Sequence, residues 1–184
     1  LNAVLAKYNA AGGFNGKVVE LVHYDDEFTA EKGLTYTKKL VEEDKVFALT
    51  GHFGTNTVAA TVDYIKDVGV PMVYAATGIN QLYQEAAVEN DRAVMPLQPI
   101  YKTEGRVLLA RALAADTDKI GLGGTKIGVI STTDDAGSGI LEGIKRQAEE
   151  TTATVVYAET NAASGTNHAT AVNTLKTANC DVVI

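Results

Sequence analysis

Three short stretches rich in glycine and hydroxyl residues carry most of the chemistry open to this chain: Thr50 to Thr57 (TGHFGTNT), Tyr74 to Asn80 (YAATGIN) and Ser131 to Gly139 (STTDDAGSG). Each follows an apolar run and leads towards a helical pattern. A helix start exposes backbone N–H groups and the positive end of a dipole, which suits an anion. In the first stretch the helix is expected to begin near Asn56, and Thr55 or Thr57 can add a hydroxyl donor. A phosphate, a carboxylate, a metal held through His52, or plain capping of the helix by Thr55 and Asn56 are the options. A nucleotide loop of the form G-x-x-x-x-G-K-[ST] needs a lysine before its hydroxyl residue. The next lysine here is Lys66, so a single carboxylate fits better than a triphosphate.

The remaining reactive residues are dispersed. His23 lies in a strand-like run and His168 at the start of a late helix, so nothing gives His52 metal-ligand spacing, and it is expected to act structurally or as a hydrogen-bonding group. Ser138 in AGSGI lacks the G-x-S-x-G flanks of a nucleophile elbow. Gly121 to Thr125 (GLGGT) resembles half a dinucleotide fingerprint but precedes a strand pattern, which makes it a turn. The acid pairs Asp25-Asp26 and Asp134-Asp135 have no histidine or further acid nearby in sequence, and turn formation or helix capping accounts for both. No nucleophile, base or metal set emerges. The chain is expected to have no catalytic residues, no metal and no cofactor.

The bulk composition sets outer limits. With 184 residues, 46% of them apolar, the chain can bury a core as one large domain or two small lobes. A net charge of -7, with sixteen Lys and Arg scattered and no basic run, argues against a nucleic-acid partner. The single cysteine, Cys180, opens the apolar run CDVVI and is expected to be a small buried residue. No stretch approaches the roughly 20 apolar residues of a membrane span, and no signal-peptide pattern opens the chain.

The elements that must position the three loops alternate along the chain. An opening helix, LNAVLAKYNAAGG, places Leu1, Val4, Leu5 and Tyr8 on one face. Strand KVVELVHY, helix EKGLTYTKKLVEE, strand KVFALT, helix TVAATVDYIKDVG and strand VPMVYA follow. This is the signature of βαβ units and a parallel sheet. Leu34, Thr37 and Val41 share one helix face, and Val58, Thr61, Val62 and Ile65 share another. After a short AVMP the rhythm restarts with helix TEGRVLLARALAAD, strand KIGVIS, helix GILEGIKRQAEE, strand TVVYA, helix NHATAVNTLKTA and strand DVVI. Two of the three prolines, Pro96 and Pro99, lie between the halves and mark a crossover. The fold class is therefore α/β, with two doubly wound parallel-sheet lobes, residues 1–98 and 99–184. The chain opens inside a helix pattern and stops inside a strand pattern, so it is expected to be incomplete at both ends.

The run from YNAAGGFNGKVVELVHYDD to KVFALTGHFGTNT, followed by DDAGSGILEGIKRQAEE and LKTANCDVVI, resembles type I periplasmic solute-binding proteins of the leucine/isoleucine/valine-binding family. The carrying pattern is N-x-x-G-G-x-x-G, an apolar strand ending in Asp-Asp, a KLV helix and a strand-glycine loop. The resemblance implies two lobes closing over a small solute, with the first strand of lobe one absent here. It implies that Gly54, Thr55 and Asn56 in the first loop, and Ala76, Thr77 and Gly78 in the second, grip a carboxylate end, with Asp135 facing them from lobe two. Where the family often has D-D-x-Y-G-x-G, this chain has Asp135-Ala136-Gly137, so the aromatic contact from lobe two is absent.

The implied function is that of an extracytoplasmic receptor of an ABC importer, periplasmic or lipid-anchored outside the membrane. Its partners would be an amino acid or other small carboxylate and the membrane permease subunits. A ligand-sensing regulatory domain of the same fold, and an α/β enzyme acting on a small anionic metabolite, are the alternatives.

Overall fold

The computed structural model describes residues 1–96, 98–115, 121–160 and 168–184. Its elements run α1 (Asn2–Ala10), α2 (Ala30–Glu42), β1 (Leu49–Thr50), α3 (Thr55–Val68), β2 (Met72–Ala75), β3 (Val94–Pro96), α4 (Tyr101–Leu113), β4 (Lys126–Thr132), α5 (Asp135–Ala148), β5 (Thr154–Thr160), α6 (Ala169–Thr177) and β6 (Val182–Val183). Among the described residues the strands form two three-stranded sheets, ordered β1-β2-β3 and β5-β4-β6, with every pairing parallel. The chain is an α/β protein, as the alternating pattern requires. In the second sheet α5 leads from β4 to β5 and the return through α6 places β6 on the other side of β4. The strand order therefore reverses at β4, and the loop after it lies at a topological switch point, where such sheets bind ligands.

Each sheet has its own core. Val58, Val62 and Ile65 of α3 pack with Leu49, Met72, Val94 and Leu82. Leu109 and Ala112 of α4 pack with Ile127, Val129, Leu141 and Ile144. Removing each such side chain from water contributes about 1.5–3 kcal/mol. The face expected for α3 is the buried one, and Thr37 is the buried polar residue on α2. Among the described residues no helix is long and apolar enough to cross a membrane.

The structure departs from the sequence pattern in four places. Residues 17–24, expected as a strand, belong to neither sheet, and Val18 is 69% exposed. The physical reason is the lack of a ladder neighbour: a cavity of about 300 Å³ separates Leu21 to Asp26 from Thr50 to Phe53. The strand expected over KVFALT shrinks to Leu49–Thr50 for the same reason, leaving Phe47 93% exposed. Helix α1 forms, but none of its residues is buried. It is tied to residues 17–24 by Asn9, whose amide donates to the Val19 carbonyl and accepts from the Val19 N–H, both at 2.9 Å. Cys180, expected buried, is half-buried. Asp116 at the end of the fourth helix pattern and Asn167 at the start of the last one lie outside the described residues.

Helices α4 and α5 meet closely because glycines line their contact. A methyl group on Gly105 would collide with the Ile140 carbonyl, and one on Gly143 with the Lys102 carbonyl. Arg106 rims the contact, reaching Gln147 and Glu150 at 3.1 Å each. In a solvent-exposed helix, Gly→Ala stabilises by about 1 kcal/mol. Here the sign reverses, because backbone must yield. Gly105→Ala and Gly143→Ala are each expected to destabilise the fold by about 1–3 kcal/mol, measured by chemical denaturation.

Asp181 joins β6 to the start of β4. Its carboxylate accepts from the Thr125 hydroxyl (2.7 Å), the Thr125 N–H (3.0 Å) and the Lys126 N–H (3.0 Å). These bonds, the Thr125 hydroxyl foremost, hold its carboxyl down to about 2. The folded state therefore favours the ionised form, and the contribution is present above the ordinary aspartate range and lost as pH falls from about 4 to about 2. Asp181→Ala should lower the melting temperature at neutral pH, with the gap from the parent closing across that window.

Candidate functional site

The first two glycine-hydroxyl loops lie side by side. Beyond β1 the chain leaves the regular ladder, yet the His52 carbonyl accepts from the Ala76 N–H (2.8 Å) and the Gly54 N–H donates to the Ala76 carbonyl (3.3 Å). The loop after β1 is thereby fixed against the loop after β2. Gly54 takes φ 98° at the N-cap of α3, a conformation that side chains resist. The Phe28 ring covers its Cα so closely that a methyl group there would overlap it. Thr55 and Asn56 do not cap the helix; both lie within its first turn, and the N-cap makes no side-chain bond.

At the end of β2 a bulge redirects the chain. Val73 pairs with Met95 and Ala75 with Pro96, so Tyr74 is an extra residue, held at φ 65°. Bulges of this kind re-aim side chains next to functional sites. The effect here is to bury Thr77 to 1% exposure, its hydroxyl 3.2 Å from that of Thr55. A third hydroxyl completes the group. The Tyr101 phenol lies 3.3 Å from both threonine oxygens. Sequence reasoning missed Tyr101, which is 46 residues from Thr55 and follows a Pro-Ile pair at a helix start. No local signal distinguishes it from a packing residue.

The other proposed residues divide. Ala76 and Gly78 accompany Thr77, and the Gly78 carbonyl accepts from the Tyr101 N–H at 2.6 Å. Asn56 is exposed and takes no part in the hydrogen bonds among the three hydroxyls. Asp135 is the first residue of α5 and lines, with Ile79, Asn80, Gln81, Ser138 and Glu142, a cavity of about 240 Å³ between the loop after β2 and α5. Asn80 crosses between them, its amide donating to Glu142 at 3.0 Å. The neighbouring Asp134 caps α5 by accepting from the Gly137 N–H (2.9 Å) and the Thr132 hydroxyl (2.7 Å). These bonds, Gly137 first, hold its carboxyl below the usual range.

Asp25 and Asp26 turn the chain locally, accepting from the N–H groups of Glu27 (2.9 Å) and Phe28 (2.8 Å). The second bond sets Phe28 over Gly54, where its ring lies 6.2 Å from that of Phe53. Among the described residues no group of three or more His, Cys, Asp or Glu could hold a metal ion. His52 instead bonds through Nε2 to the Thr37 hydroxyl at 2.9 Å. Burial pushes its pKa down, against the weaker pull of the Asp26 charge.

The ends of parallel strands, where these hydroxyl-bearing loops lie, are where α/β folds bind ligands. The model of the Periplasmic binding protein family matches residues 1–184, the whole chain, and the chain belongs to that family. It is a family of solute-binding proteins and not of enzymes. A protein named amino acid binding protein from Pseudomonas aeruginosa is 24% identical over 139 residues, 76% of this chain and 34% of its own length. The branched-chain amino acid transporter substrate-binding protein of Streptococcus pneumoniae, solved with isoleucine, superposes with a TM-score of 0.77 at 22% identity, covering 99% of this chain and 49% of that one. A solute-binding protein of an ABC transporter from Rhodopseudomonas palustris, solved with 3,4-dihydroxybenzoic acid, gives 0.74 at 16% identity, over 98% and 47%. These two likenesses show the fold. The chain spans about half the length of those solved structures and a third of the Pseudomonas protein.

His52 makes the stability of the fold depend on pH. Its folded pKa is depressed, so the unfolded chain takes up the proton first, and stability is lost as pH falls below the ordinary histidine value of about 6.5. Thermal unfolding between pH 7 and 5 should show this slope. His52→Gln, which can keep the bond to Thr37 and cannot titrate, should flatten it.

Proposed function

We propose that this chain is the solute-gripping part of an extracytoplasmic receptor serving an ABC importer. Residues 1–98 and 99–184 form its two lobes, and its ligand is a small carboxylate-bearing solute, such as a branched-chain or other amino acid, held in the cleft between them. The observation that carries this reading is the convergence of the Thr55, Thr77 and Tyr101 hydroxyls at the ends of the first sheet's strands. Three hydroxyls next to a helix start offer donors without demanding a proton transfer, which suits reversible binding of an anion. Family membership supports it, as do relatives whose names specify amino acid binding and solved complexes with isoleucine and 3,4-dihydroxybenzoic acid.

In this reading Gly54, Ala76 and Gly78 contribute backbone around the carboxylate, Asn56 stands at the rim, and Asp135 approaches from the opposite lobe. A ligand that contacts both lobes favours the closed state by its differential affinity, and membrane permease subunits receive that closed form. The receptor works in the periplasm or anchored outside the membrane.

A thermal-shift screen of the intact protein against the amino acids and small aromatic acids tests the reading. A true ligand should raise the melting temperature with concentration, by about 2.7 kcal/mol of added stability at 100 times its Kd. Thr77→Val should weaken that ligand about tenfold, the effect of one hydrogen bond. If no such solute stabilises the protein at any concentration, the receptor reading is wrong.

A further inference from the structure

Tyr101 belongs to both units of the chain. It is the first residue of α4, and its N–H donates to the Gly78 carbonyl in the loop after β2 at 2.6 Å. Its ring packs on Gly78, and a methyl group on Gly139 of α5 would lie 3.0 Å from the Tyr101 Cβ. Its phenol oxygen stands 3.3 Å from the hydroxyls of Thr55 and Thr77. One side chain thus touches both ligand loops of the first sheet and the helix that starts at the switch point of the second.

The spacing of the three oxygens bears on what they do. O–H···O bonds are best near 2.7–2.8 Å, and all three separations here are 3.2 or 3.3 Å. The hydroxyls satisfy one another loosely, so each proton can turn to a better acceptor at small cost. Thr77 is buried, while Thr55 and Tyr101 are half-buried. A phenol, far more acidic than an aliphatic hydroxyl, is the strongest donor of the three.

We infer that Tyr101 is a ligand-binding residue, whose phenol donates to the solute carboxylate together with Thr55 and Thr77 and so ties the bound anion to the α4–α5 pair. The assignment rests on the receptor reading. It gives the solute a bond to the element on which the second sheet is carried, which a contact from the two loops alone does not.

The test is Tyr101→Phe in the intact protein, beside Thr77→Val and the parent. Each is titrated calorimetrically with the twenty amino acids, benzoate and 3,4-dihydroxybenzoate. The Phe variant keeps the ring on Gly78 and Gly139 and loses only the hydroxyl. The expected result is about tenfold weaker binding, with the unliganded melting temperature within about 2 °C of the parent. The ultraviolet change that a ligand produces in the tyrosine spectrum should shrink in parallel. Parent-like affinity in Tyr101→Phe, with Thr77→Val still impaired, overturns the role of Tyr101 and leaves the receptor reading standing. A loss of unliganded stability in Tyr101→Phe without a loss of affinity also overturns it, since the hydroxyl is then structural. A parent protein that binds none of these acids overturns both readings together.

Discussion

The arrangement depends on hydrogen atoms standing where side chains would otherwise be, at Gly105, Gly139 and Gly143. Helix α4 leaves the first sheet just after β3 and lies on α5, whose start is the loop following β4. Backbone carbonyls of Ile140 and Lys102 occupy the space that methyl groups would need. That close approach fixes where α5 begins relative to the loops after β1 and β2. It therefore also fixes the width of the cavity between Asn80 and Asp135. Polar bonds from Arg106 and Asn80 sit on the rim of this contact and follow from it.

The donor cluster itself is built from departures from regular structure. Gly54 breaks the path from strand to helix at φ 98°, and Tyr74 is forced into the left-handed region by a bulge. Opposite that bulge is Pro96, which has no N–H to give, so the ladder between β2 and β3 ends where the loop must be released. A non-glycine residue in the left-handed region costs roughly 1–2 kcal/mol. The well-packed α3 face, with Val58, Val62 and Ile65 all buried, offsets it.

Much of this was legible in the sequence, and the failures have a common cause. The parallel α/β organisation and the buried face of α3 follow from periodicity, which reports what a segment does once it has a neighbour. For KVVELVHY that condition fails, because apolar residues make a strand only where another strand can pair with them. The loop threonines announced themselves through their place between strand and helix. Tyr101 could not, because its partners are 46 and 24 residues away and only the helix contact brings them together. Capping by Thr55, one of the options for that loop, is not what forms: Gly54, under the Phe28 ring, is the N-cap and the threonine lies in the helix. His52, expected to act structurally or as a hydrogen-bonding group, bonds to Thr37.

The three oxygens that face one another at the strand ends carry no formal charge. A guest held by an ammonium or guanidinium group owes part of its affinity to an attraction that dissolved ions weaken over about 8–10 Å at ordinary ionic strength. A guest held by hydroxyl protons and backbone owes little to that attraction, because short dipolar contacts in a half-buried site are nearly indifferent to the surrounding salt. A site built on such contacts keeps its strength when the ionic strength of the medium changes.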